Sequence, residues 1–419
     1  MAGGYPHLRS PRVDLLPGTL CVPEASRTPA TSWSIFLIFL RLGLTSFGGP
    51  VAHLGYFREA FVTRRRWLSE QAYAELVALC QFLPGPASSQ VGMAIGLSQA
   101  GYRGALAAWA GFTLPSAVLL MLFAQSIVDQ GDSLASGALH GLKIVAFAVV
   151  AQAVWGMART LCPDVPRRGM MLAAAVLALL MPGALGQVAV IVGAGVLGCI
   201  FFMPAANSGA NSLPVGITQK TGALWLALFV ALLLGLPVLA YSLQSTTLNV
   251  LDAFYRAGAL VFGGGHVLLP LLQAEVVPSG WVSNDLFLAG YGATQAVPGP
   301  LFTFAAFLGS AMQAPLSGWT GGLLCLLAIF LPSFLILAGV LPFWARLRGR
   351  PRIQAAMLGV NAGVVGLLLA TLYQPVGTSA IHGLLDLALA IIALIALMAG
   401  KLPPWLVVLG GAVVGWLAL

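Results

Sequence analysis

Two arginines occupy matching positions in two otherwise apolar stretches. Arg41 lies within residues 39–50 and Arg256 within residues 254–265, and Phe, Arg, Gly, Phe, Gly and Gly recur in register between these stretches. Each arginine stands six residues before a Phe-Gly-Gly. A charge at membrane depth costs at least a few kcal/mol, which makes such a residue a functional-site hypothesis by default. Because a guanidinium presents forked donors that suit an oxyanion, the pair indicates two half-sites for a dianion.

A Pro-Gly-Pro motif also occurs twice, at 84–86 and at 298–300. Each copy follows a Gln by three residues, and each is followed further along the chain by a Leu-Pro-Ser, at 114–116 and at 331–333. The shared order of motifs indicates an internal duplication. Duplicated halves of inverted topology place the substrate site at their interface, near the middle of the membrane.

The Phe-Gly-Gly and Pro-Gly-Pro tips predict broken helices, with a new half-helix after each tip. Free N–H groups and the positive end of the helix dipole make such a start an anion site. The hydroxyls of Ser88, Ser89 and Thr303 lie in these first turns. The predicted substrate-binding residues are Arg41, Phe47, Gly48, Gly49, Pro50, Pro84, Gly85, Pro86, Ser88, Ser89, Arg256, Phe262, Gly263, Gly264, Gly265, Pro298, Gly299, Pro300 and Thr303.

Simpler interpretations of these residues stay open. Gly-Gly and Pro-Gly-Pro in membrane helices also serve as close-packing points or kinks. The two arginines can instead cap carbonyl ends of neighbouring half-helices. Ser88 and Ser89 can act as plain helix caps.

Four further titratable residues are candidates for proton coupling: Glu75, His53, His266 and Lys143. Histidine titrates near neutral pH, so either His53 or His266 can carry protons, although a hydrogen-bonded structural histidine is the simpler alternative. Glu75 lies nine residues before a Pro-Gly-Pro tip and equally suits a partner for a nearby arginine. Lys143 either lines the cavity or extends to the membrane interface.

The composition assigns the chain to the polytopic helical membrane proteins. Of 419 residues, 59% are hydrophobic and 8% charged, far from the roughly 25% charge of soluble domains. The mean hydropathy is +0.94, and many apolar segments are long enough to cross a bilayer. The net charge of +8 reflects basic residues at helix ends, which is a membrane pattern and excludes a nucleic-acid partner. The five cysteines show no disulfide or metal-type spacing.

Thirteen apolar segments are predicted, six in each repeat and one between the repeats. Residues 1–31 are predicted to be a disordered cytoplasmic tail, 32–203 the first repeat, 204–247 a linker with an inverting transmembrane helix, and 248–419 the second repeat. The segments are 32–58, 72–98, 104–128, 136–160, 169–183, 186–203, 221–243, 249–272, 285–312, 319–345, 353–373, 381–399 and 403–419.

The distribution of basic residues predicts the topology. Arginines cluster at four places that should face the cytoplasm: Arg58 with Arg64–Arg66, Arg103, Arg159 with Arg167–Arg168, and Arg346–Arg352. Segment 72–98 therefore enters and leaves by one face, as a re-entrant hairpin around Pro-Gly-Pro, and the same argument gives hairpins at the other tips. About twelve helical residues on each side rise about 18 Å, roughly half a bilayer. The basic loop 58–66 and its equivalent 273–284, which lacks Lys and Arg, indicate that the second repeat is inverted.

The repeated motifs resemble the chromate ion transporter family in its long, two-repeat form. The first copy carries the stronger resemblance, in Phe47-Gly-Gly-Pro50 with His53, Arg65-Arg66-Trp67-Leu68, Cys80-Gln-Phe-Leu-Pro-Gly-Pro86 and Ser88-Ser89-Gln90-Val91-Gly92. The similarity runs from about residue 33 to the C-terminus. It implies chromate efflux across the bacterial inner membrane, driven by ion gradients, with sulfate as a competing analogue.

The predicted function is therefore a secondary transporter that exports chromate and confers chromate resistance. Sulfate or another oxyanion is the alternative substrate, and an intramembrane enzyme is the alternative class. No enzyme or metal-ligand motif appears in the sequence, so no cofactor or metal is predicted. The expected partners are chromate and membrane lipid, and a homodimer stays open.

Overall fold

The computed structural model describes residues 30–130, 136–202, 217–313, 316–347 and 350–418. Residues 1–29 of the predicted tail lie outside this range, as does Arg348. The described residues form helices joined by short turns, and no strand occurs among them. The α-helices are α1 Ser32–Thr45, α2 Gly49–Arg58, α3 Glu70–Phe82, α4 Ala87–Gln130, α5 Ser136–Leu161, α6 Val165–Leu180, α7 Ala184–Phe201, α8 Gln219–Leu243, α9 Thr246–Leu260, α10 Leu268–Val276, α11 Asn284–Thr294, α12 Phe304–Ala311, α13 Gly318–Val340, α14 Trp344–Leu347, α15 Pro351–Thr371, α16 Thr378–Ala380, α17 Leu384–Met398 and α18 Pro404–Ala418.

Six helical stretches among the described residues are long and apolar enough to cross a membrane. They are Ala87–Val128, Gly137–Leu161, Ala184–Phe201, Gln219–Leu243, Gly318–Phe343 and Pro351–Ala380. Only 6% of the 18-residue apolar stretch of α8 is buried within the protein. Most of this helix therefore exposes leucine and valine side chains on the protein surface. An apolar face of this extent requires lipid. The protein is therefore an all-helical, multi-pass membrane protein.

Each glycine-rich tip interrupts a helix. The first Phe-Gly-Gly separates α1 from α2, and the second separates α9 from a 3₁₀ turn, Gly265–Val267, that leads into α10. The first Pro-Gly-Pro separates α3 from α4, and the second separates α11 from a 3₁₀ turn, Leu301–Thr303, that leads into α12. A helix thus begins at or directly after all four tips. Proline favours such starts because it needs no N–H partner there.

The long helix α4 changes direction in its middle. Ala100 (φ −141°, ψ 28°) and Gly101 (φ 61°, ψ −153°) have non-helical backbone angles. The backbone of Gly96 contacts that of Gly104. Residues eight apart on a straight helix are about 12 Å from each other, so the chain must reverse between them. The backbones of Gly309 and Gly321 make the matching contact in the second half.

Helices of the two halves pack against each other. From the first half, α5 packs against α11, α17 and α18, and from the second half, α15 packs against α6 and α7. Glycines allow close approach at these contacts, as at Gly141 with Gly411 and at Gly198 with Gly359. The linking helix α8 contacts α9 and α13. The centre of the molecule is therefore built jointly by both halves.

Candidate functional site

The Pro-Gly-Pro loop of each half is hydrogen-bonded to the Phe-Gly-Gly loop of the other half. The N–H of Gly85 donates to the carbonyl of Val261, which directly precedes the second Phe-Gly-Gly, at 2.7 Å. The N–H of Gly299 donates to the carbonyl of Ser46, which directly precedes the first Phe-Gly-Gly, at 3.1 Å. These two bonds are equivalent under the sequence repeat. Each bond joins a tip of the first half to a tip of the second half. We call these two contacts, Gly85 with Val261 and Gly299 with Ser46, the crossings.

The serines of the two Leu-Pro-Ser motifs pack directly against the glycines of these crossings. A Cβ atom added at Gly85 would overlap the hydroxyl of Ser333, and one added at Gly299 would lie 2.7 Å from the Oγ atom of Ser116. Both glycines also have left-handed φ values, +117° and +113°, that side chains rarely adopt. Glycine is therefore favoured at both positions for two reasons: it adopts the left-handed backbone angle, and it leaves room for the serine. The Leu-Pro-Ser that it faces belongs to the opposite half.

His53 supports one crossing from the side. Its Nε2 atom lies 3.2 Å from the Ser46 carbonyl and its Nδ1 atom lies 3.4 Å from the Ser88 hydroxyl. A carbonyl only accepts, so Nε2 carries the donated hydrogen. The ring is buried and meets Phe112 edge to face, with 5.1 Å between ring centroids. This geometry matches the structural alternative for His53, and it leaves proton coupling as a prediction.

Several buried polar atoms around the crossings have no hydrogen-bond partner among the residues that the structure describes. They are Ser46 Oγ, Ser89 Oγ, Gln90 Oε1, Thr113 Oγ1 and Ser333 Oγ. The other amide atom of Gln90, Nε2, donates to the Pro84 carbonyl at 2.7 Å. Leaving a buried polar group unsatisfied costs about 1–3 kcal/mol, so such a concentration marks a place for water or a ligand. The four hydroxyls can each donate to an oxyanion.

The hydroxyls of Ser88 and Thr303 differ from that of Ser89. The Thr303 hydroxyl donates to the Pro300 carbonyl at 2.7 Å, within its own turn. The Ser88 hydroxyl lies beside His53. All three side chains are buried. Of the three predicted hydroxyl contacts, Ser89 is therefore the one without a hydrogen-bond partner in the described part of the chain.

The two arginines occupy different environments. The Arg256 side chain is 24% exposed and pairs with two carboxylates, Asp252 Oδ2 at 2.7 Å and Glu275 Oε1 at 3.2 Å. Arg41 is exposed on the surface of α1. The charge of Arg256 in the second half is thus balanced by two carboxylates, whereas the equivalent Arg41 in the first half is exposed.

Two of the remaining proton-coupling candidates, Lys143 and His266, contact side chains of α11. Lys143 is buried in α5, and its Nζ atom lies 3.0 Å from Asp285 Oδ1 at the start of α11. His266 Nδ1 lies 2.8 Å from the Tyr291 hydroxyl, also on α11. Glu75 is half-buried in α3. These contacts account for part of the buried polarity, and a proton-coupling role stays a prediction for all three.

Other predicted tip residues have contacts or backbone angles that the structure defines. The Phe47 ring lies 6.0 Å from the Trp405 ring between centroids. Gly48 has a left-handed φ of +102° as the N-cap of α2, and Pro50 lies in the first turn of that helix. A Cβ at Gly263 would lie 3.5 Å from Asn361 Oδ1.

Several residues at these contacts were not predicted from the sequence. The helical spacing of four residues before Arg256 was a usable signal for Asp252. No local spacing could reveal Glu275 or Asp285, because each pairs with a distant part of the chain. Among the described residues, one group has the ligand types and proximity for a metal ion, formed by His140, His382 and Asp386. The first of these is far from the other two in sequence, so their spacing gave no metal-type pattern.

Comparison with known proteins gives a consistent family assignment. The family model described as "Chromate transporter" matches residues 33–199 and again residues 248–416. The "Chromate transport protein" of Pseudomonas aeruginosa is 31% identical over 356 residues, which cover 83% of this chain and 82% of that protein. The protein of the same description from Cupriavidus metallidurans is 25% identical over 416 residues, covering 96% and 97%. The "Probable chromate transport protein" of Synechococcus elongatus is 26% identical over 382 residues, covering 90% and 93%. No solved structure matches the chain significantly.

Proposed function

The chain belongs to the chromate transporter family, and we propose that it exports chromate across the bacterial inner membrane as a secondary transporter. The substrate site of this proposal lies at the two crossings between the halves. The paired bonds from Gly85 to Val261 and from Gly299 to Ser46 are the observation that carries it. They bring four helix starts and unsatisfied hydroxyls from both halves towards one place.

The chemistry of this place suits a tetrahedral dianion. Helix starts offer free N–H groups and a partial positive charge to an anion. The Ser89 and Ser333 hydroxyls, one from each half, add donors that have no partner among the described residues. The proposed contact surface comprises the tips 47–50, 84–86, 262–265 and 298–300 with Ser88, Ser89 and Thr303.

The arginines enter this proposal in a secondary role. A dianion that approaches Arg256 must compete with Asp252 and Glu275, whose two carboxylates already exceed its single charge. Binding there requires that a carboxylate is protonated or moves away. Proton uptake at this cluster is thus one way to couple proton and chromate movement. Arg41 has no carboxylate partner among the described residues, and it lies on the surface.

The proposed architecture has two inverted repeats with re-entrant hairpins at the four tips. Three observations support it. The helices break at all four tips, the chain reverses at Gly101 in the first half, and the linking helix α8 lies between the two repeats. Paired reversals at matching glycine contacts, Gly96 with Gly104 and Gly309 with Gly321, fit two copies of one unit. Inversion of one copy provides two faces that can open alternately.

Export is favourable for such a substrate. A dianion that leaves a cell with a negative interior gains about 2.3 kcal/mol per charge per 100 mV, or about 4.6 kcal/mol for two charges. Either a uniporter or a proton antiporter is consistent with this gain. The membrane potential alone is therefore a sufficient driving force for efflux.

Transport into everted vesicles tests the function directly. Everted vesicles that contain the protein should accumulate radiolabelled chromate when the potential is clamped positive inside, because that orientation corresponds to export. Excess sulfate in the same assay measures how far the two dianions compete. Uptake no greater than in vesicles without the protein would refute chromate transport.

A further inference from the structure

Two histidines and one aspartate from opposite halves of the chain form a compact cluster near the start of α5. His140 lies in α5, His382 lies in the turn before α17, and Asp386 lies in the first turn of α17. His140 Nε2 is 3.0 Å from Asp386 Oδ1. The two imidazole rings stack with 5.3 Å between centroids and 13° between planes. One donor atom from each residue lies within 4.8 Å of the other two.

The carboxylate of Asp386 is held in a fixed orientation. Its Oδ2 atom accepts hydrogen bonds from the N–H groups of His382, at 2.8 Å, and Gly383, at 3.2 Å. Its Oδ1 atom is left facing His140. The Asp386 side chain is 8% exposed and that of His140 is 18% exposed, whereas His382 is exposed. The cluster is therefore closed on the side of the helices and accessible from outside the protein at His382.

We propose that this cluster binds one divalent transition-metal ion, with Zn²⁺ as the best match. Two imidazole nitrogens and one carboxylate oxygen form a common zinc ligand set that leaves a fourth position for water. Zinc–ligand distances of about 2.0–2.2 Å in a tetrahedron place the donor atoms roughly 3.4 Å apart. His140 Nε2 and Asp386 Oδ1, now 3.0 Å apart, would separate slightly. The other donor pairs lie within 4.8 Å and would approach by at most about 1.4 Å.

The proton balance of this binding is simple. Each imidazole binds the ion in its neutral form through one nitrogen. A neutral His140 moves its hydrogen from Nε2 to Nδ1 when the ion takes its place beside Asp386, and a cationic ring releases one proton to water. The nearby cation Lys143 is already paired with Asp285 at 3.0 Å, so its charge is balanced and opposes the ion little.

The ion would link the two halves of the chain. His140 belongs to a helix of the first half, and His382 and Asp386 belong to the second half. The helices α5 and α17 already pack against each other. A bound ion adds ligand bonds across this contact and should raise the melting temperature of the purified protein, since only the folded chain holds the three ligands together.

The test uses the full-length chain, purified in detergent, with any affinity tag removed and metal ions stripped. Titration with Zn²⁺ in competition with a chromophoric chelator should show one equivalent bound per chain. His140→Gln and His382→Gln should each weaken binding by at least about tenfold, and the double variant should abolish it. Co²⁺ should give the visible bands of a four-coordinate ion in the wild-type protein and not in the double variant.

The control is Cys199→Ser, which removes the exposed thiol and should leave binding unchanged. His382 is exposed, so its substitution should leave folding intact, and the gel-filtration profile checks this. A wild-type chain that binds no stoichiometric Zn²⁺, or a double variant that binds it with wild-type affinity, overturns the assignment. Neither result bears on chromate transport.

Discussion

The N–H of Gly85 donates a hydrogen bond to the carbonyl of Val261 across the interface between the two halves, at 2.7 Å. The equivalent bond from Gly299 to Ser46 repeats this contact with the halves exchanged. Because each bond joins the two halves, a movement of one half relative to the other acts on both contacts. The two crossings are thus the points at which a rearrangement of the halves would reach the proposed substrate site.

The first prediction concerns the two crossing glycines. Gly85→Ala and Gly299→Ala should each reduce chromate transport strongly and lower the melting temperature in detergent. Each places a side chain at a left-handed φ, which costs about 1–3 kcal/mol, and crowds a serine of the opposite half. Transport in proteoliposomes and thermal unfolding measure the two effects.

A second-site change sharpens this prediction. Ser333→Ala removes the hydroxyl that the new methyl group would overlap, so Gly85→Ala with Ser333→Ala should regain part of the lost stability. Gly235→Ala provides the control without crowding. Wild-type activity and stability in both crossing variants would show that the interface does not depend on these glycines.

The second prediction concerns the unused hydroxyls. Ser89→Ala and Ser333→Ala should fold normally, because neither hydroxyl has a partner in the protein to lose. If each donates to the dianion, its loss should weaken chromate binding by roughly 1.5–3 kcal/mol, about ten- to a hundredfold. Chromate binding to the purified variants measures this. Thr303→Val is the contrast, since its hydroxyl already bonds Pro300 and its loss should lower stability more than affinity. Unchanged affinity in both serine variants would exclude these donors from the site.

The helix interruptions at the four tips were predicted from the sequence and occur in the structure. Proline and glycine have strong backbone preferences, so the helix interruptions at Pro-Gly-Pro and Phe-Gly-Gly were predictable from the motifs. The partner of each loop was not predictable. Nothing in the spacing indicates that Gly85 bonds Val261 of the other half, because that choice depends on how distant helices pack.

For the two arginines, too, features close in sequence were predictable, and contacts with distant parts of the chain were not. Their matched positions were visible in the repeat, and the spacing of Asp252 one helical turn before Arg256 is equally local. Glu275 instead reaches Arg256 from α10. That contact depends on tertiary structure, and so does the approach of His140 to His382.

The third prediction separates these arginines. Arg256→Gln should lower the folded yield, because it leaves Asp252 and Glu275 close together and mostly buried without a counter-charge. Arg41→Gln should leave the yield unchanged, since Arg41 is exposed. Adding Asp252→Asn to Arg256→Gln should recover part of the yield. Equal yields for both single variants would contradict the charge-balance explanation.

The same two variants test the paired-arginine hypothesis for the substrate. If both arginines contact the dianion, the folded Arg41→Gln and Arg256→Gln proteins should each bind chromate about ten- to a hundredfold more weakly. Lys in place of Arg should restore binding poorly, because an ammonium lacks the planar fork. Wild-type affinity in both folded variants would remove the arginines from the site.

The last prediction concerns the inverted topology. Single cysteines introduced at three exposed positions, by Arg65→Cys, Arg103→Cys and Ser279→Cys, should react with membrane-impermeant reagents from defined faces. Positions 65 and 103 flank the first Pro-Gly-Pro hairpin and should both be labelled from the cytoplasm, because a hairpin enters and leaves by one face. Position 279 lies in the second-repeat equivalent of the loop that holds Arg65, and it should be labelled only from outside.

The native Cys21 and the exposed Cys199 must be replaced by Ser in the background so that each signal has one source. Labelling of positions 65 and 103 from opposite faces would turn the hairpin into a full crossing. Labelling of positions 65 and 279 from the same face would mean that the repeats are parallel. The inverted-repeat model would then be wrong, and so would the proposal that the two faces open alternately to a shared site.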